Sequence, residues 1–279
     1  MIQGSTRLVG IFGDKIAYTL SPRMHNYAFA KLGLDFAYVP FEVRPDQLEG
    51  AVNAIRSLNL IGVNVTIPHK QAVIPYLDQV TPIAKKIGAV NTIVNNGGKL
   101  LGDNTDAPGF LESLKADGGV DPKKKRVLLV GAGGTARAMA ISLAAAGISK
   151  LVIANRTLEN AKQLSAWVNK LGAKLDCYAV KLSSDNLKDE LSDADLLLNA
   201  TPSGSDFMPS DFHRFLSPNF FVFDAVYAKN TSLVAAAKAA GISALSGLGM
   251  LIRQGALSFS LWTGKKPPVE LMREALDAA

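Results

Sequence analysis

The chain has 279 residues, of which 48% are hydrophobic and 19% charged, and its formal net charge is +6. This length suits two modest domains, and the composition excludes a disordered chain. Lysines and arginines are dispersed, so the charge does not favour a nucleic-acid-binding protein. The single cysteine, Cys177, excludes an internal disulfide and is typical of the reducing cytoplasm. No signal peptide is recognisable, and no uncharged apolar run of about 18 residues predicts a membrane span.

Short apolar strands alternate with helices in the first half of the chain. The sequence predicts strands at 7–13, 36–43 and 62–70, and helices at 21–34 and 48–58. In the first helix, Ser21 is the expected N-cap, Pro22 suits the first turn and Gly33 ends the helix. Residues 89–106 resemble a β-hairpin with the turn sequence Asn-Asn-Gly-Gly at 95–98.

A second alternation begins at residue 126, with a buried strand, a glycine-rich turn and an alanine-rich helix. Further strands are predicted at 150–156, 194–202 and 220–227, and helices at 249–264 and 268–279. The pattern favours an α/β fold with largely parallel sheets. We expect two domains, with the seam between them near residues 105–122.

The clearest cofactor signal is the pattern Gly131-x-Gly133-x-x-Ala136 between a predicted strand and a predicted helix. Glycines at such a turn let the backbone approach a pyrophosphate that rests on the helix N-terminus. The next strand ends in Asn155-Arg156-Thr157 and carries no carboxylate at its tip. An arginine pairs with the 2′-phosphate of NADP, which a carboxylate would repel. The sequence therefore predicts NADP(H) as the cofactor.

Two other segments place polar side chains at the ends of predicted strands. GVNVTIPHK (62–70) and GDNTDAPGF (102–110) supply Asn64, Thr66, Lys70, Asn104, Thr105 and Asp106. A lysine paired with an aspartate can hold and move a proton on a reacting oxygen, because the carboxylate orients the ammonium. We therefore expect Lys70 and Asp106 to lie in a cleft between the domains.

The ordered set of motifs resembles the shikimate dehydrogenase family from about residue 8 to about residue 270. Besides the segments above, the matching motifs are YTLSPRMHN (18–26), GAVNTI (88–93), GAGGTARA (131–138), ANRT (154–157), NATPSG (199–204), DAVY (224–227) and GLGMLIRQGALSFSLWTG (247–264). The resemblance implies a cytoplasmic enzyme that reduces 3-dehydroshikimate to shikimate with NADPH, in the route to aromatic amino acids. It also implies an α/β fold of two domains. The substrate domain, expected at residues 1–106 and 250–279, has a mixed, mostly parallel sheet to which the C-terminal helices return, and the Rossmann-like NADP-binding domain is expected at 107–249.

The resemblance also implies roles for individual residues. Lys70 and Asp106 match the catalytic pair. The substrate-binding positions are matched by Thr19, Ser21, Asn64, Thr66, Asn91, Tyr227 and Gln254, of which Thr19 and Ser21 hold the substrate carboxylate. The cofactor-binding positions are matched by Gly131, Ala132, Gly133, Gly134, Thr135, Asn155, Arg156, Thr157, Thr201, Gly247 and Met250.

Two positions depart from the family pattern. Thr19 stands where the family usually has serine, and its extra methyl group could change which cyclic acid fits. Asn160 stands where a second basic residue often completes the phosphate clamp, and Lys162 is expected to face elsewhere on its helix. A clamp with one arginine predicts a reduced preference for NADP over NAD.

Three alternatives follow from these observations. The enzyme could act on shikimate, or it could be a relative that acts on quinate or aminoshikimate. It could also be a non-catalytic NADP-binding protein, although intact Lys70, Asp106 and Gln254 argue against that reading. The histidines, His25, His69 and His213, are scattered and support no metal site. We expect a monomer or homodimer.

Overall fold

The computed structural model describes residues 2–172, 175–202, 207–208, 212, 219–227 and 231–277. The chain divides into two compact units. The first comprises Met1–Gly109 and Leu251–Ala279, and the second comprises Phe110–Met250.

The first unit is built on a six-stranded mixed sheet. Its strands are β1 (Arg7–Gly13), β2 (Phe36–Glu42), β3 (Gly62–Val65), β4 (Gln79–Val80), β5 (Thr92–Asn96) and β6 (Lys99–Asp103). Their order is β2-β1-β3-β5-β6-β4. β1 is parallel to β2 and β3, β4 is parallel to β6, and β5 is antiparallel to β3 and β6. The predicted mixed, mostly parallel sheet is thus confirmed.

The helices of this unit come from both ends of the chain. They are α1 (Ser21–Lys31), α2 (Leu48–Ser57), α3 (His69–Ala72), α4 (Pro82–Ile87) and the C-terminal α11 (Val269–Asp277), with 3₁₀ turns at Pro45–Gln47 and Ile74–Tyr76. α11 packs against α1, where the Tyr27 hydroxyl donates to Glu274 Oε2 at 3.2 Å. The predicted return of the C-terminal helices to the first unit is therefore confirmed.

Two local predictions in this unit are wrong. Leu20 occupies the N-cap position of α1 and already has helical backbone angles, so the helix begins at Ser21 and the Ser21 hydroxyl does not cap it. The third strand ends at Val65, short of the segment end at residue 70. Pro68 has no N–H to donate to a neighbouring strand, and the chain turns there into α3.

The β5–β6 hairpin agrees with its sequence prediction. Gly97 and Gly98 form the two-residue connection, with φ angles of 62° and 93°. Glycine populates this left-handed region without steric cost, and two positive φ angles suit the twist of a tight hairpin. The hairpin brings the start of β5 beside the end of β6, which places the residues that flank it close together.

The second unit is an all-parallel α/β layer structure. Its strands are β7 (Arg126–Val130), β8 (Lys150–Asn155), β9 (Asp176–Lys181), β10 (Leu196–Asn199), β11 (Phe221–Asp224) and β12 (Ser243–Ser246), in the order β12-β11-β10-β7-β8-β9. The helices are α6 (Gly134–Ala145), α7 (Leu158–Lys170), α8 (Ser184–Asp193) and α9 (Ser232–Ala239). Both faces of the central strands are covered, so residues 127–130 are continuously buried and apolar. The Rossmann-like architecture predicted from the sequence is confirmed.

Two helices cross the boundary between the units in sequence. They are α5 (Asp106–Ala116), in the segment where the sequence suggests a seam, and α10 (Leu248–Thr263). Across the ranges that the structure covers, no helix has the length and apolar content needed to cross a membrane.

Candidate active site

A lysine and an aspartate form a buried ion pair in the first unit. Lys70 lies in the short helix α3, Asp106 begins α5, and Nζ of the lysine donates to Oδ2 of the aspartate at 2.6 Å. The side chains are only 11% and 6% exposed. Such a pair has little solvent to stabilise its charges, so each group depends on the other and on neighbouring hydrogen bonds. An ammonium held in this way is suited to donate a proton to a substrate oxygen.

Asn91 binds the second oxygen of the aspartate. Its Nδ2 donates to Oδ1 of Asp106 and to Oγ1 of Thr105, each at 2.9 Å. Its Oδ1 accepts the backbone N–H of Thr105 at 2.8 Å. Asn91 immediately precedes β5 and Asp106 follows β6, so the antiparallel hairpin brings them together. The carboxylate of Asp106 is therefore held from two sides, by an ammonium and by an amide.

Asn64, at the third position of β3, extends this polar network beneath the sheet surface. Its Nδ2 donates to the Asn91 carbonyl oxygen at 3.1 Å, to Thr92 Oγ1 at 3.1 Å and to Ser258 Oγ at 2.9 Å. Its Oδ1 accepts from the Tyr38 hydroxyl at 2.8 Å. Asn64 is 5% exposed, so these hydrogen bonds replace those lost with water.

Two residues of helix α10 complete the network. Gln254 and Ser258 are four residues apart and so share one helix face. The Ser258 hydroxyl donates to the Gln254 carbonyl oxygen at 3.0 Å, and Gln254 Oε1 accepts from Asn91 Nδ2 at 3.3 Å. The structure therefore brings together Lys70, Asp106, Asn64, Asn91 and Gln254 of the sequence-predicted set.

Three other predicted residues, Thr19, Ser21 and Thr66, belong to the start of α1 with its preceding segment and to the turn after β3. Ser21 is buried at the start of α1, and its backbone N–H donates to Oγ1 of the half-buried Thr19 at 3.3 Å. Thr66 is half-buried just after β3, where its backbone N–H donates to the Phe12 carbonyl oxygen at 2.9 Å. Among the hydrogen bonds between described residues, none links Thr19, Ser21 or Thr66 to the Lys70–Asp106 pair.

In the second unit, the glycine-rich turn joins β7 to α6. Gly131 has a φ of 114°, and a Cβ there would lie 3.1 Å from the Ala200 carbonyl oxygen. Gly133 is the N-cap of α6, and a Cβ there would meet no atom within 4 Å. Ala132, Gly134 and Thr135 are half-buried around this turn. The open N-terminus of a 12-residue helix offers backbone N–H groups to an anion, which fits a dinucleotide pyrophosphate.

The tip of β8 carries an exposed cation. Arg156 and Thr157 are exposed, and Asn155 Nδ2 donates to the Thr157 carbonyl oxygen at 2.9 Å, which fixes the turn into α7. Asn160 and Lys162 are exposed on α7. A guanidinium at this strand tip fits the 2′-phosphate of NADP, because it can bind phosphate through two parallel hydrogen bonds.

Buried polar side chains shape the loops after β10 and β11. Asn199 Oδ1 accepts from Thr201 Oγ1 at 2.7 Å, and Asn199 Nδ2 donates to Asp224 Oδ1 at 2.9 Å. The same Asp224 oxygen accepts the Val226 N–H at 3.1 Å. Burial raises the pKa of the Asp224 carboxyl, and hydrogen bonds from Thr231, from the Val226 N–H and from Asn199 oppose the rise. The chain thereby fixes the loops that carry Thr201 and Tyr227.

The other predicted site residues of this part of the chain are Gly247 and Met250, predicted to bind the cofactor, and Tyr227, predicted to bind the substrate. Gly247 is buried, its N–H donates to the Val226 carbonyl oxygen at 3.0 Å, and a Cβ there would collide with Ala225. Tyr227 is half-buried and Met250, in α10, is 6% exposed.

Three residues of the first-unit network were not singled out from the sequence: Tyr38, Thr92 and Ser258. Ser258 could have been found from its helical spacing of four from Gln254, and Thr92 lies within a matched motif. Tyr38 carries no such signal, since it belongs to an ordinary apolar strand.

The histidines within the described ranges have packing or hydrogen-bonding roles. His69 Nε2 lies 2.6 Å from the Val43 carbonyl oxygen, and His25 is buried among aromatic rings. His213 lies outside the described residues. Among described residues, no group of three His, Cys, Asp or Glu side chains is arranged to hold a metal ion.

Models of three protein-family domains match the chain in order. They are the shikimate dehydrogenase substrate binding domain at residues 11–93, shikimate / quinate 5-dehydrogenase at 114–224, and the shikimate 5′-dehydrogenase C-terminal domain at 247–276.

Individual relatives match almost the whole length. A shikimate dehydrogenase (NADP(+)) from Desulforamulus reducens is 42% identical over 280 residues, which cover 99% of this chain and 96% of the relative. The structure of a Listeria monocytogenes shikimate 5-dehydrogenase in complex with shikimate and NAD is 37% identical, with a TM-score of 0.88 and coverage of 99% and 98%. A quinate dehydrogenase from Corynebacterium glutamicum in complex with NAD is 32% identical, with a TM-score of 0.87 and coverage of 98% and 99%. On the strength of these matches and of the site geometry, the chain belongs to the shikimate dehydrogenase family.

Proposed function

We propose that this protein catalyses the reversible, NADP-dependent reduction of 3-dehydroshikimate to shikimate. The observation that carries the proposal is the Lys70–Asp106 pair at 2.6 Å, with the second aspartate oxygen bound by Asn91. The arrangement supplies a fixed proton donor beside amides, as reduction of a carbonyl on a polyhydroxylated acid requires.

The second unit supplies residues that fit the dinucleotide. The glycine turn at 131–134 and the N-terminus of α6 would hold the pyrophosphate, and Arg156 would hold the 2′-phosphate. When bound, the reduced nicotinamide supplies the hydride. We accordingly propose that residues 107–249 bind the cofactor and that residues 1–106 and 250–279 bind the substrate.

Lys70 handles the proton in this proposal. As hydride reaches the carbonyl carbon, negative charge develops on the carbonyl oxygen, and a nearby ammonium stabilises that charge and protonates the oxygen. Asp106 orients the ammonium and balances its charge, while Asn91 prevents the carboxylate from rotating away. In the oxidation direction the same pair accepts the proton from the alcohol.

The remaining residues determine which acid fits. The substrate hydroxyls would be bound by the amides of Asn64, Asn91 and Gln254 and by the hydroxyl of Thr66. The substrate carboxylate would be bound by the hydroxyls of Thr19 and Ser21. Tyr227 would contact the substrate from the cofactor side. A site built from hydrogen-bonding groups rejects an analogue that leaves them unpaired. Substrate selection is thereby assigned to the first-unit network and to the segment before α1.

Quinate is the second candidate substrate. The observation that favours it is Thr19, whose hydroxyl oxygen accepts the Ser21 N–H at 3.3 Å in the proposed carboxylate-binding segment and whose side chain carries a methyl group that serine lacks. A quinate dehydrogenase is also among the relatives of similar fold.

Initial rates with shikimate and with quinate, each with NADP⁺ and with NAD⁺, test the proposal directly. We expect the highest kcat/KM for shikimate with NADP⁺. A Thr19→Ser variant should shift the ratio of shikimate to quinate efficiency if Thr19 shapes the pocket. A higher kcat/KM for quinate would replace the first candidate by the second, and no turnover of either acid would overturn both.

The proposal includes a cytoplasmic location and a monomeric or homodimeric state. The buried free thiol of Cys177 accords with a reducing compartment. Light scattering coupled to size-exclusion chromatography would distinguish monomer from dimer.

A further inference from the structure

Asn26 on α1 holds the backbone of Tyr38 on β2. Asn26 Nδ2 donates to the Tyr38 carbonyl oxygen at 2.9 Å, and the Tyr38 N–H donates to Asn26 Oδ1 at 2.8 Å. β2 is an edge strand of its sheet, so its outward backbone groups have no neighbouring strand to pair with. The side-chain amide of Asn26 takes the place of that strand at one residue and fixes the position of Tyr38.

His25, the preceding residue of α1, holds the ring of Tyr38. The imidazole and phenol rings are stacked, with centroids 4.3 Å apart and planes within 5° of parallel. His25 is fully buried, and within the described ranges neither of its ring nitrogens has a hydrogen-bond partner. Burial lowers the pKa of His25 to about 3, so the ring is neutral at neutral pH and acts as a packing surface.

The direction of the hydrogen bond between Tyr38 and Asn64 follows from the surroundings of Asn64. The Asn91 carbonyl oxygen can only accept, so the amide nitrogen of Asn64 must face it, at 3.1 Å. This orientation leaves Asn64 Oδ1 facing Tyr38, and the phenol must donate, at 2.8 Å. Rotating the Asn64 amide by half a turn would set its oxygen against the Asn91 carbonyl oxygen and lose that hydrogen bond.

Asn64 has one hydrogen-bonding position left for a ligand. Its two N–H groups are directed at the oxygens of Asn91, Thr92 and Ser258. An amide oxygen accepts two hydrogen bonds, and Tyr38 provides one of them. The group that Asn64 can offer to a substrate hydroxyl is therefore the second lone pair of Oδ1, and Tyr38 determines where that lone pair points.

We propose that Tyr38, held by His25 and Asn26, is a positioning residue that orients the Asn64 amide for substrate binding. The inference rests on the proposed function in taking Asn64 as a substrate contact. It assigns the His-Asn pair of α1 a part in substrate affinity although neither residue belongs to the Lys70–Asp106 network.

A double-mutant cycle on Tyr38 and Asn64 tests the proposal. Tyr38→Phe keeps the ring and its stack but removes the donor, and we expect KM for shikimate to rise about tenfold with kcat changed less than about threefold. The effect falls on KM because a misplaced acceptor weakens the ground state and the transition state equally. In the Asn64→Ala background, Tyr38→Phe should leave KM unchanged, because the amide through which it acts is gone.

Tyr178→Phe is the matched control. It also removes one tyrosine hydroxyl, which donates to Glu190 Oε2 at 2.7 Å in the second unit, and it should leave KM for shikimate at the wild-type value. The proposal is overturned if Tyr38→Phe has the wild-type KM, or if its effect on KM is the same with and without the Asn64 amide.

A substrate-free measurement separates this proposal from the proposed function. The side-chain ¹H–¹⁵N signals of Asn64, identified by their loss in Asn64→Ala, should exchange slowly with solvent in the wild type. They should shift and exchange faster in Tyr38→Phe but not in Tyr178→Phe. Unchanged signals in Tyr38→Phe would overturn the proposal, whereas absence of turnover in the wild type would overturn the proposed function alone.

Discussion

Lys70 Nζ and Asp106 Oδ2 are 2.6 Å apart although 36 positions separate the residues in the chain. The β5–β6 hairpin lies between them in sequence and places Asn91 against the other aspartate oxygen. The two partners flank a hairpin, which fixes their positions more firmly than two loops would. This suits Lys70, because its ammonium must lie at a fixed distance from the reacting oxygen of the substrate.

Replacing the lysine should abolish most of the catalysis. We expect Lys70→Ala to lower kcat for shikimate oxidation by at least about 100-fold, because the proton donor and the stabilising charge are both lost. NADPH affinity, measured by fluorescence titration, should be unchanged. Lys99→Ala, which removes an exposed lysine of the hairpin, is the control and should keep the wild-type kcat. A Lys70→Ala protein with wild-type kcat would remove Lys70 from the mechanism.

Arg156 should account for the preference between cofactors. We expect Arg156→Ala to raise KM for NADP⁺ by roughly 10-fold to 100-fold, since a charge-assisted pair with the 2′-phosphate is lost, and to leave KM for NAD⁺ within about twofold. The comparison needs steady-state rates with both cofactors. Lys162→Ala, two positions past Asn160 on the exposed part of α7, should change neither value. Equal effects on both cofactors would mean that Arg156 does not contact the 2′-phosphate.

The two glycines at the start of α6 should respond differently to substitution. Gly131→Ala should lower the free energy of unfolding by about 1–3 kcal/mol, because its φ of 114° and the Ala200 carbonyl oxygen oppose a Cβ. Gly133→Ala should leave stability nearly unchanged, because its Cβ meets no protein atom within 4 Å. It should weaken NADPH binding, because the methyl group would occupy the space of the pyrophosphate.

Urea unfolding and NADPH titration of the two variants check these expectations. A Gly133→Ala protein with wild-type affinity for NADPH would contradict the placement of the pyrophosphate at this turn.

His25 should make the protein sensitive to acid. Burial lowers its folded-state pKa from 6.5 to about 3, so between these values the unfolded chain binds a proton that the native chain does not. Stability is then lost as the pH falls below 6.5, and regained as it rises. His25→Phe keeps a ring but cannot bind the proton. We expect the free energy of unfolding of the wild type, relative to this variant, to fall by a few kcal/mol between about pH 7 and pH 4.

His69→Phe is the comparison variant, and its free energy of unfolding is measured at neutral pH beside that of His25→Phe. His69 hydrogen-bonds the Val43 carbonyl oxygen, so its loss leaves a buried acceptor unpaired and should destabilise the protein, whereas loss of the unpaired His25 nitrogens should not. A pH-independent difference between wild type and His25→Phe would show that His25 is accessible to protons in the native state.

Local pattern was sufficient for much of the fold. The buried run at 126–130 and the Asn-Asn-Gly-Gly turn are features of neighbouring residues, and both appear where expected. The N-cap of α1 and the end of β3 were misjudged, because each depends on backbone geometry that residue preferences do not set alone. β9 and β12 were not recognised, since their partly exposed strands lack a strong apolar pattern.

The candidate site also contains residues that local sequence pattern identifies and residues that it does not. Lys70, Asp106 and the glycine turn belong to short motifs and could be singled out from the sequence. Tyr38 could not, because its importance lies in contacts with Asn26 and Asn64 across separate elements. The buried pairing of Asn199 with Asp224 likewise results from the register of two parallel strands, which the sequence does not specify.

The distance along the chain between partners in the first unit has a consequence for synthesis. Asn64 donates to Ser258, 194 residues later, and Trp262 Nε1 donates to the Ile93 carbonyl oxygen, 169 residues earlier. A ribosome therefore completes all the strands of the second unit before it synthesises α10. Until then the first unit has an amide and a carbonyl group without their native partners, while the second unit has all its strands and can fold. Nascent chains that stop before α10 would consequently have every strand of the second unit, but their first unit would lack the hydrogen bonds that α10 provides.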